Sequence, residues 1–212
     1  MEKLAREQNI SRIIAMEERI SKCTRCVLQR GCVYRPATGK GDLKPEILLV
    51  FHSEGNGNDR KKIMDIRQLI KKHFILDKVY HTFAVRCQPK SCTHLDNLNC
   101  FSSKCLVDQE QTCRVTRAVC EGIPIMPGDI EIISCLHYLI EEIDILSPQI
   151  VVLFGDRTSY FTLKAYGLLD SIITPSLYMI NGRHVLATVE ADQFTSQDAK
   201  ELVSYLHSEH AV

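Results

Sequence analysis

The chain has 212 residues, 45% of them hydrophobic and 25% charged, which suits one α/β domain with a sizeable core. Lys plus Arg and Asp plus Glu number 26 each, so the chain lacks the overall basic excess that charge-driven nucleic-acid binding needs. The chain opens on the charged run Met1-Glu2-Lys3-Leu4-Ala5-Arg6, which is no export leader, and no apolar run is long enough to span a membrane; its ten cysteines therefore predict reduced thiols and metal chemistry, an intracellular setting (cytoplasmic, nucleoid or nuclear) and no membrane partner.

Residues 1 to 21 read as a helix with the stripe Ile10, Ile13, Ile14, Glu17 and Ile20. Cys23-Thr24-Arg25-Cys26 follows at once, and Gly31 to Pro45 reads as loop. Glu46 to Phe51 is a continuous apolar run of the kind buried in parallel sheets, and it breaks into the polar loop His52 to Asp59. Asp59 is a cap for the next helix, whose apolar positions are Ile63, Ile66, Leu69, Ile70 and Phe74. A second strand runs from Lys78 to Arg86 and is closed by Cys87.

Residues 88 to 128 break this rhythm. The segment carries Cys92, His94, Cys100, Cys105, Cys113 and Cys120 with few large apolar residues. An uncored stretch of that length is unusual in a compact domain, and Cys92, Cys100, Cys105, Cys113 and Cys120 are candidates for a second metal or cluster. Their spacing matches no finger signature, and Cys113 and Cys120 could equally pack on one helical face.

From Asp129 the rhythm resumes with a helix to Leu146, its expected buried face Ile132, Ile133, Leu136, Leu139, Ile140 and Ile143. Ser147-Pro148 ends it, Gln149 to Phe154 is a third buried strand, and Asp156 is read as the cap of a short helix to about Tyr166. Tyr178 to Val189 is read as a hairpin at Asn181-Gly182, or as one strand after a short edge piece. A last helix runs from Ser196 to His207 with Leu202 and Leu206 inward. The expected fold class is α/β: three layers, α/β/α, around a mostly parallel sheet, a single domain over residues 1–212 with the Cys-rich insertion 88–128 inside it.

Two sites follow from this layout. Cys23, Cys26, Cys87 and Cys135 stand at element ends, and four thiolates without a histidine pair suit an iron–sulfur cluster or an all-cysteine zinc site; buried thiols acting as small hydrophobes are the plain alternative. An open parallel sheet also places a cleft at the carboxyl ends of its strands. The loops meeting there offer His52, Ser53, Glu54, Asn56, Asn58, Asp59, Asp156, Arg157, Glu190 and Asp192. The Gly55 and Gly57 spacing matches neither a Walker loop nor a dinucleotide fingerprint.

The order of these motifs resembles the iron–sulfur uracil-DNA glycosylases of families 4 and 5, over roughly residues 20 to 206 apart from the insertion. Val85-Arg86-Cys87-Gln88-Pro89 is similar to the family's Val-Lys-Cys-Arg-Pro, and Ser147 to Gly155 to its Pro-x-Val-Ile-Val-x-Leu-Gly strand. The resemblance implies a uracil-DNA glycosylase-like fold and one [4Fe–4S] cluster on Cys23, Cys26, Cys87 and Cys135. It also implies DNA as a partner and DNA repair as the setting.

The catalytic motifs depart from the family's. Its Gly-Glu-Ala-Pro-Gly loop is Phe51-His52-Ser53-Glu54-Gly55 here, and its Gly-x-Pro-Phe segment is replaced by the helical Lys61-Lys62-Ile63-Met64. Its uracil-reading Asn is Phe83, and its late His-Pro is Glu190-Ala191. A Phe offers no amide to a pyrimidine edge, and an ionised Glu has no proton to donate to a carbonyl. The expectation is an iron–sulfur protein that no longer excises uracil and serves as a nucleic-acid or protein-binding module. The alternatives are an active glycosylase or hydrolase of altered base choice, with Glu54, Asp59 or Glu190 activating water and His52 assisting, and a zinc-bound architectural protein.

Overall fold

A computed structural model describes residues 2–26, 36–55, 60–87, 90–91, 112–113, 116–118, 123–124, 126–168 and 174–208. In chain order the elements are α1 (Glu2–Ser21), β1 (Lys40–Gly41), β2 (Ile47–Ser53), α2 (Arg60–Phe74), β3 (Val79–Val85), β4 (Lys90–Ser91), β5 (Ile123–Pro124), α3 (Asp129–Leu146), β6 (Ile150–Phe154), α4 (Asp156–Ala165), β7 (Ser176–Ile180), β8 (Arg183–Thr188) and α5 (Ser196–Ser208).

The main sheet has the order β1-β3-β2-β6-β8-β7. Its four inner strands are parallel and the two edge strands antiparallel. Every position of β2 and β3 is buried, and Ile47 to Phe51 of β2 accordingly reads as an unbroken apolar run. Alternation divides them between two cores. Leu48 and Val50 pack with Ile13, Met16 and Leu139 on the face covered by α1, α3 and α4. Ile47, Leu49 and Phe51 pack with Ile63, Ile66, Ile70 and Leu202 on the face covered by α2 and α5. The protein is thus α/β, with a mixed, mostly parallel six-stranded sheet between helices. Among the described residues no helix is long and apolar enough to cross a membrane.

The chain leaves β2 for β3 on one side and returns to β6 on the other. That reversal opens a crevice at the carboxyl ends of β2 and β6. Across the sheet, β7 and β8 form the hairpin alternative. Its corner residues Asn181 and Gly182 have φ of +50° and +74°, as a tight primed turn requires. A separate ladder of β4 with β5 sets Lys90 opposite Pro124 and Ser91 opposite Ile123, joining the two ends of the Cys-rich insertion.

Three local expectations are corrected. In α1 the buried residues are Ile13, Met16 and Ile20, while Ile10 and Ile14 are exposed, so the helix meets the sheet along a narrower stripe than its apolar content suggests. In α3 the buried set is Ile132, Cys135, Tyr138, Leu139, Glu142, Ile143, Ile145 and Leu146, whereas Ile133 is 59% exposed. The buried face also includes Cys135 and Glu142, and Glu142 meets a buried arginine described below. Asp156 does not cap α4; Gly155 does, at φ +91°, and Asp156 accepts a hydrogen bond from Thr174 Oγ1 instead.

Candidate functional site

The end of α1 delivers the first two cysteines. The Cys23 amide donates to the Ile20 carbonyl at 3.1 Å, turning the chain out of the helix. Cys87 lies two residues beyond β3, and Cys135 in the second turn of α3. All four cysteines, Cys23, Cys26, Cys87 and Cys135, line one small pocket, together with Ile20, Arg25, Arg86, Ser134 and Tyr138. Cys87 and Cys135 are buried; Cys23 and Cys26 are half-buried. Burial pushes the Cys135 thiol up, and the nearby Cys26 and Cys23 push the same way; the Arg86 backbone and guanidinium pull it down.

Thiolates this close repel one another unless a cation lies between them, so the donor set fits a soft metal centre. Among the described residues no three His, Cys, Asp or Glu side chains close on a single metal-ion position. Four cysteines without a histidine pair suit either an iron–sulfur cluster or an all-cysteine zinc site. Of the insertion's candidates, Cys92, Cys100, Cys105 and Cys120 lie outside the described residues. Cys113 is buried in a turn, its amide donating to Ala118 O and its carbonyl accepting from Arg117 N, both at 2.8 Å.

Beside the pocket lies a buried polar network that the sequence reading missed. Arg86 Nη2 donates to Glu142 Oε2 at 2.5 Å and Nη1 to Thr82 Oγ1 at 2.6 Å. The Thr82 hydroxyl donates in turn to Glu142 Oε2 at 2.5 Å, and Tyr80 Oη donates to Glu142 Oε1 at 2.8 Å. Both members of the ion pair are 1% exposed. Burial, with the Glu142 carboxylate beside it, pushes the Tyr80 phenol well up, so Tyr80 remains a donor. Gly39 presses on the network so closely that any Cβ there would strike Tyr80 and Glu142. Removing one partner of such a pair costs about 3–5 kcal/mol, because the other charge is left buried and alone. The signal was present in the sequence: Glu142 follows Cys135 by two helical turns on one face, and Arg86 adjoins Cys87.

The crevice gathers only part of its predicted set. His52 ends up buried on β2 with Nε2 lacking a partner. Burial pushes its pKa down, Arg157 adds to that, and a hydrogen bond to the Pro127 backbone opposes it. Arg157 donates to Pro127 O at 3.1 Å and pairs with Asp129. The carboxyl of Glu190 packs against the Cα of Gly155, occupying the space a side chain would need. Burial pushes Glu190 up, Asp192 and Asp156 add to it, and Arg157 opposes it. Arg157 therefore acts on both His52 and Glu190. Glu54 is exposed at the rim, and Asn56, Asn58 and Asp59 lie outside the described residues.

Phe83 is 3% exposed and packs with Phe51 at 6.3 Å between ring centroids. Phe51 stacks on Phe154 at 4.7 Å, and Phe154 meets Phe194 edge-on at 5.1 Å. Phe51 and Phe154 directly precede His52 and Gly155, so aromatic rings fill the layer under the crevice. No protein-family model matches the chain, and no curated protein matches it.

Proposed function

We propose that this chain is an iron–sulfur protein with a uracil-DNA glycosylase-like fold that has lost uracil excision and serves as a nucleic-acid or protein-binding module. The observation that carries the reading is the convergence of Cys23, Cys26, Cys87 and Cys135, from three separate parts of the chain, on one small pocket. Those four residues hold one [4Fe–4S] cluster, which supplies cross-linking of α1, β3 and α3 and a redox-active charge. The strand order and the resemblance of Val85 to Pro89 and of Ser147 to Gly155 support the fold assignment. The loss of uracil excision rests on the aromatic layer that holds Phe83 and on the acidic Glu190. DNA is the first nucleic-acid partner to test, and the exposed Arg60 and Lys61 at the start of α2 offer it a small basic patch.

Anaerobic purification tests the cluster. The expected protein is brown and carries about four iron and four sulfide per chain. Cys87→Ser loses most of the iron and unfolds at lower temperature, since the ligand that ties β3 to α1 is gone. Zinc in place of iron would establish the architectural zinc reading, and iron above one cluster would locate a second centre in residues 88–128.

A second reading has its own support. His52, with an unpartnered Nε2, and Glu190, with a raised pKa, share the influence of Arg157 at the carboxyl ends of the strands. In an altered-base glycosylase or hydrolase Glu190 would take a proton from water and His52 would face the developing charge. Release of any modified base from DNA that disappears in Glu190→Ala would select this reading.

A further inference from the structure

The Arg86 side chain is fully buried, yet it is incompletely satisfied. Its Nη1 and Nη2 are committed to Thr82 and Glu142 at 2.6 and 2.5 Å. Its Nε is buried and has no partner. The guanidinium is planar, so two fixed donors leave Nε no freedom to turn elsewhere. A charged donor left unmet in the interior is costly, and such groups are rare in native proteins. Arg86 also lines the pocket of the four thiols, and its charge acts on Cys135.

We propose that the Nε–H of Arg86 donates a hydrogen bond to the sulfur-rich centre held by Cys23, Cys26, Cys87 and Cys135, and that this bond raises the reduction potential of the centre. The inference rests on the iron–sulfur reading above. An anionic cluster offers thiolate and sulfide acceptors where Nε lacks one. Hydrogen bonds to cluster sulfurs favour the reduced state, which carries one more negative charge. The contribution is a hydrogen bond and not a net charge, because Glu142 already neutralises the guanidinium within the same network. Glu142, Thr82 and Tyr80 hold the donor in place; they do not touch the centre themselves.

Two variants separate the hydrogen bond from the charge. Arg86→Lys keeps a cation for Glu142 and removes the Nε–H. The double variant Arg86→Gln/Glu142→Gln removes both charges and restores an amide N–H near the position of Nε. The readout is the midpoint potential of the cluster in an anaerobic titration followed by electron paramagnetic resonance, with iron content measured alongside. The expected result is a fall in Arg86→Lys of about 59 mV, a tenfold loss in the equilibrium constant for one-electron reduction, and a near wild-type potential in the double variant. Iron-replete Arg86→Lys protein with the wild-type potential overturns the inference and leaves the iron–sulfur reading standing. A fall in the double variant alone overturns it in favour of a charge effect. If Arg86→Lys does not fold, Arg86→Met/Glu142→Gln replaces it, and a potential equal to that of the Gln pair overturns the inference. Wild-type protein without iron sinks both readings together.

Discussion

At the scale of single residues, His81 shows how a buried group makes the fold depend on pH. It lies on β3, 6% exposed, and its Nδ1 accepts from Arg67 Nη1 at 2.8 Å. Burial, then Arg67 and Lys40, push its pKa down to about 4. The unfolded histidine titrates near 6.5, so between about pH 6.5 and pH 4 the unfolded chain binds more protons than the folded one. Stability from this group is therefore complete above pH 6.5 and is lost as pH falls towards 4, by roughly 3 kcal/mol. His81→Asn keeps an acceptor for Arg67 without a titrating ring. Urea unfolding at pH 7 and pH 4.5 is expected to show a smaller loss in the variant than in the wild type; equal losses would remove His81 as the cause. Little of this was legible in the sequence, where His81 sits beside Thr82 in an otherwise apolar strand. The cysteines were legible because each stands at or near the end of an element, where chemistry-bearing side chains can meet.

At the scale of elements, α3 is the instructive case. Its apolar spacing marks Ile133 and Leu139 as equals, yet the structure buries Leu139 completely and leaves Ile133 mostly in solvent. The buried face takes in two polar positions beside the apolar stripe: Glu142 pairs with Arg86, and Cys135 lines the thiol pocket. Periodicity located the helix, its length and most of its buried face, but it misplaced Ile133 and missed Glu142, since it weighs every isoleucine alike and gives no weight to a buried carboxylate. Leu139→Ala is expected to cost about 2–5 kcal/mol and Ile133→Ala no more than about 0.5 kcal/mol, as chemical denaturation would show. Equal costs would mean that the helix sits as its sequence pattern suggests.

At the scale of the whole molecule, the alternation of buried strands and amphipathic helices was legible throughout, and it sufficed to locate both the crevice and the thiol pocket. The contents of the crevice were not. The packing of Phe51, Phe83, Phe154 and Phe194 brings together residues from three strands and the segment before α5, and no local pattern announces it. The proposed loss of uracil excision rests on Phe83, which packs in this aromatic layer, and on the Glu190 carboxylate, which would oppose a departing uracil anion. Cluster-replete protein is expected to leave uracil in single- and double-stranded oligonucleotides intact under low salt, assayed by alkaline strand cleavage. Multiple turnovers abolished by Glu190→Ala would reverse that conclusion.

The short ladder that sets Lys90 opposite Pro124 and Ser91 opposite Ile123 has a consequence for how this chain can vary. It brings together the two points at which the chain enters and leaves residues 92–122. The long path from Cys87 to Cys135 is thereby shortened to the few residues on either side of the clasp. Closure entropy grows only with the logarithm of loop length, so doubling such an excursion adds about 0.6 kcal/mol. With its two ends paired, a change in the length of the intervening segment carries a closure cost of that small size.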